Sequence, residues 1–68
     1  MKWVDSEKIG IALCEKWPSM DPLRVRFTDL RQHVLELDGF DDDPKVSNEQ
    51  KLEAIQMAWY DEWQDNQA

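Results

Sequence analysis

The residues Asp38-Gly39-Phe40-Asp41-Asp42-Asp43-Pro44 place four carboxylates within six positions, and Glu36 lies just upstream. Carboxylate oxygens are hard donors, suited to iron, calcium, magnesium or manganese, and they equally suit a basic protein surface. The spacing predicts the end of a helix just before this run. A helix C-terminus carries partial negative charge and prefers cations. Acidic residues there break a local stability rule, which is how functional positions announce themselves. The candidate metal-holding residues are therefore Glu36, Asp38, Asp41, Asp42 and Asp43. The bland alternative is a solvated acidic loop. In either case the loop is read as exposed, so neutralising Asp41, Asp42 and Asp43 together is expected to leave stability unchanged or slightly higher.

A calcium loop of the EF-hand type is excluded. Counting from Asp38, position three is Phe40 and position six is Asp43. That loop requires an oxygen ligand at three and glycine at six. One cysteine, Cys14, and one histidine, His33, cannot close a four-ligand zinc site or hold an iron–sulfur cluster. Cys14 is expected to be a small half-buried side chain and His33 a helix surface residue. There is no glycine-rich phosphate loop and no nucleophile motif, and so small a chain leaves little room for a water-excluding pocket. The chain is read as not an enzyme.

A second acidic group, Asp61, Glu62 and Asp65, falls near the predicted end of the last helix. It is either a continuation of the acidic face or a tolerated helix end. With Asp38 and Asp41 to Asp43, these residues form the candidate partner-binding set.

Length and charge set outer bounds. Sixty-eight residues make one domain, residues 1–68, of marginal stability. The net charge is −7, from fifteen acidic and eight basic residues. That balance argues against nucleic acid, which demands a basic footprint. Arg24, Arg26 and Arg31 make the only local positive patch, and a helix-turn-helix module in transcription that contacts protein or DNA is the rival reading. The start, Met1-Lys2-Trp3-Val4-Asp5, contains no apolar run, and no stretch reaches the length of a membrane span. A soluble, cytoplasmic, monomeric protein is expected.

Three helices are predicted to position these groups. The first starts near Asp5 or Ser6, buries Ile9, Ala12, Leu13 and Trp17, and stops at Pro18. Asp21-Pro22 opens a single turn running to about Arg24. Arg24 to Phe27 alternates polar and apolar and reads as briefly extended. Thr28 is the expected cap of the second helix, with Leu30, Val34 and Leu37 inward and Gly39 just past its end. Ser47 and Gln50 form a capping-box pattern for the third helix, whose inner stripe is Leu52, Ile55, Trp59 and Trp63. Residues 64–68 are expected to fray. Trp3 and Trp63 lie nearer the ends, where an aromatic either packs or anchors a partner, and packing is the commoner outcome. The fold class is mainly α: a compact three-helix single domain, helix-turn-helix-like in pattern.

The ordered set Trp3-Val4-Asp5-Ser6, Asp21-Pro22, Val25-Arg26-Phe27-Thr28-Asp29-Leu30, Phe40-Asp41-Asp42-Asp43-Pro44, Ser47-Asn48-Glu49, Leu52-Glu53-Ala54-Ile55, Trp59 and Asp61-Glu62 resembles the IscX family. These are small acidic proteins of bacterial iron–sulfur cluster assembly. The chain departs in its tail after Glu62 and at Arg31-Gln32-His33, where relatives are expected to carry a histidine and a tryptophan. The resemblance implies a modified winged-helix fold without DNA binding. It implies docking on the cysteine desulfurase IscS, at a site shared with bacterial frataxin. It also implies weak, exchangeable binding of ferrous iron and a role as adaptor or regulator in the bacterial cytoplasm.

Overall fold

A computed structural model describes residues 1–67. Three helices are present: α1 (Ser6–Lys16), α2 (Phe27–Leu35) and α3 (Glu49–Gln67), with single 3-10 turns at Pro22–Arg24 and Pro44–Val46. Among the described residues there is no strand, so the wing of a winged helix has no counterpart there. The backbone of Val25 and Arg26 is extended, as the alternation suggested, but pairs with no neighbouring strand.

Some of the helix boundaries have a local cause and others do not. Asp5 occupies the cap position of α1, yet its carboxylate turns backward and accepts from the Lys2 backbone N–H at 2.9 Å. Pro18 follows the last turn, where the Trp17 N–H donates to the Leu13 carbonyl. Asp21 caps the first 3-10 turn by accepting from the Leu23 N–H, with Pro22 at its first position. Two starts differ from the sequence reading. Helix α2 begins at Phe27, so Thr28 lies inside it, and Arg26 takes the cap position without a side-chain bond. Helix α3 is capped by Asn48, whose Oδ1 accepts from the Lys51 N–H at 2.9 Å. Ser47 is drawn elsewhere, donating to the Pro44 carbonyl and accepting from Arg31 Nε.

The ends also shift. Helix α2 stops at Leu35, and Gly39 lies in the turn beyond it with φ 83°, a conformation that costs glycine little. Helix α3 runs on to Gln67, and Asn66 Nδ2 donates to the Glu62 carbonyl and to Cys14 Sγ. Ala68 lies outside the described residues.

The core is Trp3, Ile9, Leu13, Cys14, Leu30, Val34, Leu37, Leu52, Ile55 and Trp59. All three predicted stripes contribute, with Ala12, Trp17 and Trp63 half-buried at its margin. Helix α1 packs mainly on α3. Gly10 makes this possible, because a Cβ there would lie 2.8 Å from backbone atoms of Ala58 and Trp59. Cys14 is fully buried rather than half-buried. His33 is half-buried, not a surface residue, with its ring centroid 4.5 Å from that of Trp17.

Candidate functional site

The acidic run folds as a loop between α2 and α3, and its anchors come from the opposite end of the chain. The Met1 nitrogen donates to the Gly39 carbonyl at 2.6 Å, and the Asp41 N–H donates to the Met1 carbonyl at 2.8 Å. The Trp3 N–H donates to Asp42 Oδ2 at 3.0 Å, and the Trp3 indole N–H to the Asp43 carbonyl at 2.8 Å. The Trp3 ring meets Phe40 edge-on at 4.7 Å. Lys2 reaches the Asp41 carbonyl and lies 3.6 Å from its carboxylate. On the other side, Arg31 Nε and Nη2 both donate to the Pro44 carbonyl. The loop is therefore fastened on both flanks, at Trp3 and at Arg31.

This fastening divides the carboxylates into two kinds. Asp42 is half-buried and uses both oxygens on backbone, Oδ2 for Trp3 and Oδ1 for the Asp43 N–H at 2.8 Å. Asp43 Oδ1 accepts from the Lys45 N–H and caps the second 3-10 turn. These two aspartates hold the loop's shape. Glu36, Asp38 and Asp41 are exposed, and the Asp41 side chain is 91% accessible. Glu36 lies 3.7 Å from His33 Nδ1, while its carbonyl accepts from Lys16 Nζ.

The reading of the loop as exposed holds for Asp41 and Asp43 and is corrected for Asp42, which is half-buried. The Trp3 N–H, and after it the Asp43 N–H, hold the Asp42 carboxyl below its ordinary value of 3.8. A carboxyl with a depressed folded-state pKa contributes stability that is complete above its unfolded value and is lost as pH falls through the folded one. Asparagine offers one acceptor oxygen where this site uses two. Asp42→Asn should therefore lower the urea midpoint at pH 7, and the gap to the unchanged protein should close as pH drops below 3.8. Equal midpoints at neutral pH would show that the two backbone bonds do not form in solution.

Among the described residues, no three histidine, cysteine, aspartate or glutamate side chains converge where an ion could sit. The five residues Glu36, Asp38, Asp41, Asp42 and Asp43 are neighbours in sequence but not a closed cage. Resident metal does not fit this arrangement, since two of the five already serve the backbone. The second acidic group is also separate. Asp42 feels the charge of Lys51 in the first turn of α3. Asp61 follows ten residues later, roughly 15 Å along the axis at 1.5 Å per residue. Asp61 and Asp65 are exposed and Glu62 is half-buried.

Of the three arginines of the basic patch, Arg24 lies 3.7 Å from the Asp21 carboxylate, Arg31 donates to the Pro44 carbonyl, and Arg26 is exposed at the cap position of α2. Sequence reasoning missed Trp3 as the loop's anchor, and missed Glu7, Glu15 and Ile11, which stand opposite Asp61 and Glu62 across α1 and α3. Ile11 was detectable, since it falls off the stripe of Ile9, Ala12 and Leu13.

Fold and surface together define a small helical protein with an open acidic loop between α2 and α3. The chain belongs to the iron–sulphur cluster assembly family, which it matches over residues 1–64, so the resemblance to IscX is borne out. A protein of Pseudomonas aeruginosa, described as uncharacterized, is 52% identical over 62 residues, covering 91% of this chain and 94% of that one. No helix among the described residues is long and apolar enough to cross a membrane.

Proposed function

We propose that this chain is a non-enzymatic accessory protein of iron–sulfur cluster assembly that docks its acidic face on a basic surface of the cysteine desulfurase IscS, in the bacterial cytoplasm and in competition with bacterial frataxin. One observation carries the reading: in a member of this family, Asp38 and Asp41 project from a loop that Trp3, Asp42 and Arg31 hold in place. Charges on an ordered loop lose little entropy on docking, and they steer encounter with a basic partner.

Iron enters as cargo or signal rather than as a resident cofactor. Ferrous iron is a ligand for the open oxygens of Glu36, Asp38 and Asp41, bound weakly and exchangeably because no preformed cage exists. Occupation of these oxygens would remove charge from the docking face and so tune binding to the desulfurase.

The test is binding of the purified desulfurase to the double variant Asp38→Asn/Asp41→Asn at low and high salt. Neither side chain carries the fold beyond the exposed Lys2 pair, so melting should be unchanged. Affinity should fall at least about tenfold, equivalent to 1.4 kcal/mol. Binding of the unchanged protein should weaken steeply with salt, since exposed charges are screened over roughly 10 Å at 0.1 M. Salt-insensitive binding, or full affinity in the double variant, would remove the loop from the interface.

A further inference from the structure

We propose a second contact surface: the groove between α1 and α3 takes a basic amphipathic helix of a partner protein, an apolar side chain seated on Ile11 and Lys or Arg residues on both flanks. This goes beyond the loop and does not depend on it. Ile11 is 43% exposed, off the buried stripe of α1, and the groove floor continues across it to Ala58. Gly10 lets the α1 backbone close onto α3 at Ala58, which brings the two helix faces together at this floor.

The rim decides the occupant. Glu7 and Glu15 stand on the α1 side, and Asp61 and Glu62 on the α3 side. None of the four takes part in an ion pair among the described residues. On α1 the cations beside the rim are Lys16, which is spent on the Glu36 carbonyl and the Trp17 ring, and the exposed Lys8, so four carboxylates face one uncommitted ammonium and the rim stays net acidic. Helix α3 has no basic residue in its last turn, so its dipole adds negative potential at this end. A second copy of a chain of charge −7 is repelled, and so are nucleic acid and anionic lipid. Ile11, Ala54 and Ala58 between acidic residues on both sides match a helix that carries one apolar anchor with cations at three- and four-residue spacing.

The probe is a synthetic helical peptide with one leucine stripe flanked by lysine and arginine, titrated into the full, nitrogen-15-labelled chain. Amide shifts should concentrate at Ile11, Ala58 and Glu62, and persist in Asp38→Asn/Asp41→Asn. Ile11→Ser should lower affinity about tenfold at unchanged fold, as checked by melting, and Glu7→Gln/Asp61→Asn should lower both affinity and its salt dependence. A peptide with the same leucines and glutamine for the cations should not bind. Shifts confined to Asp38 and Asp41, shifts spread evenly over all acidic residues, or full affinity in a folded Ile11→Ser variant would each overturn the proposal. Because the loop variant is assayed in parallel, failure of the groove is distinguishable from failure of the loop.

Discussion

Trp3→Ala should cost about 3–5 kcal/mol, the range for removing a large buried aromatic. Trp3 is 1% exposed, among the most buried side chains described, although it is only the third residue of the sequence. Its ring fills the core beside Phe40, and its two N–H groups fasten Asp42 and Asp43. A domain of this length has a total stability of roughly 3–10 kcal/mol at 0.05–0.15 per residue, so the variant should be largely unfolded or melt more than about 10 °C lower. Trp3→Phe separates packing from fastening. It keeps most of the buried area but loses the indole donor to the Asp43 carbonyl, a change of about 0.5–1.5 kcal/mol, and leaves a smaller void than alanine does. Urea titration followed by far-ultraviolet circular dichroism gives both values. If Trp3→Ala melts within a few degrees of the unchanged protein, the N-terminal segment is not docked and the loop is not held from that side.

The second large effect is at Gly10. A valine there should destabilise by about 3 kcal/mol, the upper part of the range for overpacking. Alanine tests the sign more sharply. On an exposed helix, glycine to alanine gains about 1 kcal/mol in propensity. Here the new Cβ would meet the Ala58 carbonyl carbon and the Trp59 nitrogen at 2.8 Å, and backbone cannot rotate aside as a flexible side chain can. Steric cost should therefore outweigh the propensity gain, and Gly10→Ala should lower the melting temperature. A stabilised Gly10→Ala would mean that α1 and α3 lie further apart than this packing. The same variant should widen the groove floor beneath Ile11, so loss of peptide binding would accompany loss of stability.

The sequence alone determined the number and order of the helices, because apolar periodicity and capping residues act within a few positions. The turn at Pro22–Arg24 was legible from Asp21-Pro22 alone, and the stripe Leu30, Val34, Leu37 buried as expected. The ordered motifs from Trp3 to Glu62 carried the family. Boundaries were less legible where two polar residues compete for one role. Ser47 and Asn48 can each cap α3, and Arg31, sixteen residues before Ser47, settles the choice by occupying the serine hydroxyl.

What only the tertiary structure decided is which carboxylates are free. Asp43 precedes Pro44 and caps its turn as Asp21 does at Pro22, but nothing local tells Asp41 from Asp42. Their fates diverge because the Trp3 N–H groups arrive from about forty residues away and claim Asp42 and the Asp43 carbonyl, leaving Asp41 in water. The groove has the same origin. Glu7 and Glu15 read as ordinary surface residues until Gly10 brings α1 against α3 and sets them opposite Asp61 and Glu62. Hydrogen-bond partners and facing walls are products of chain closure, and periodicity, being local, carries no record of them.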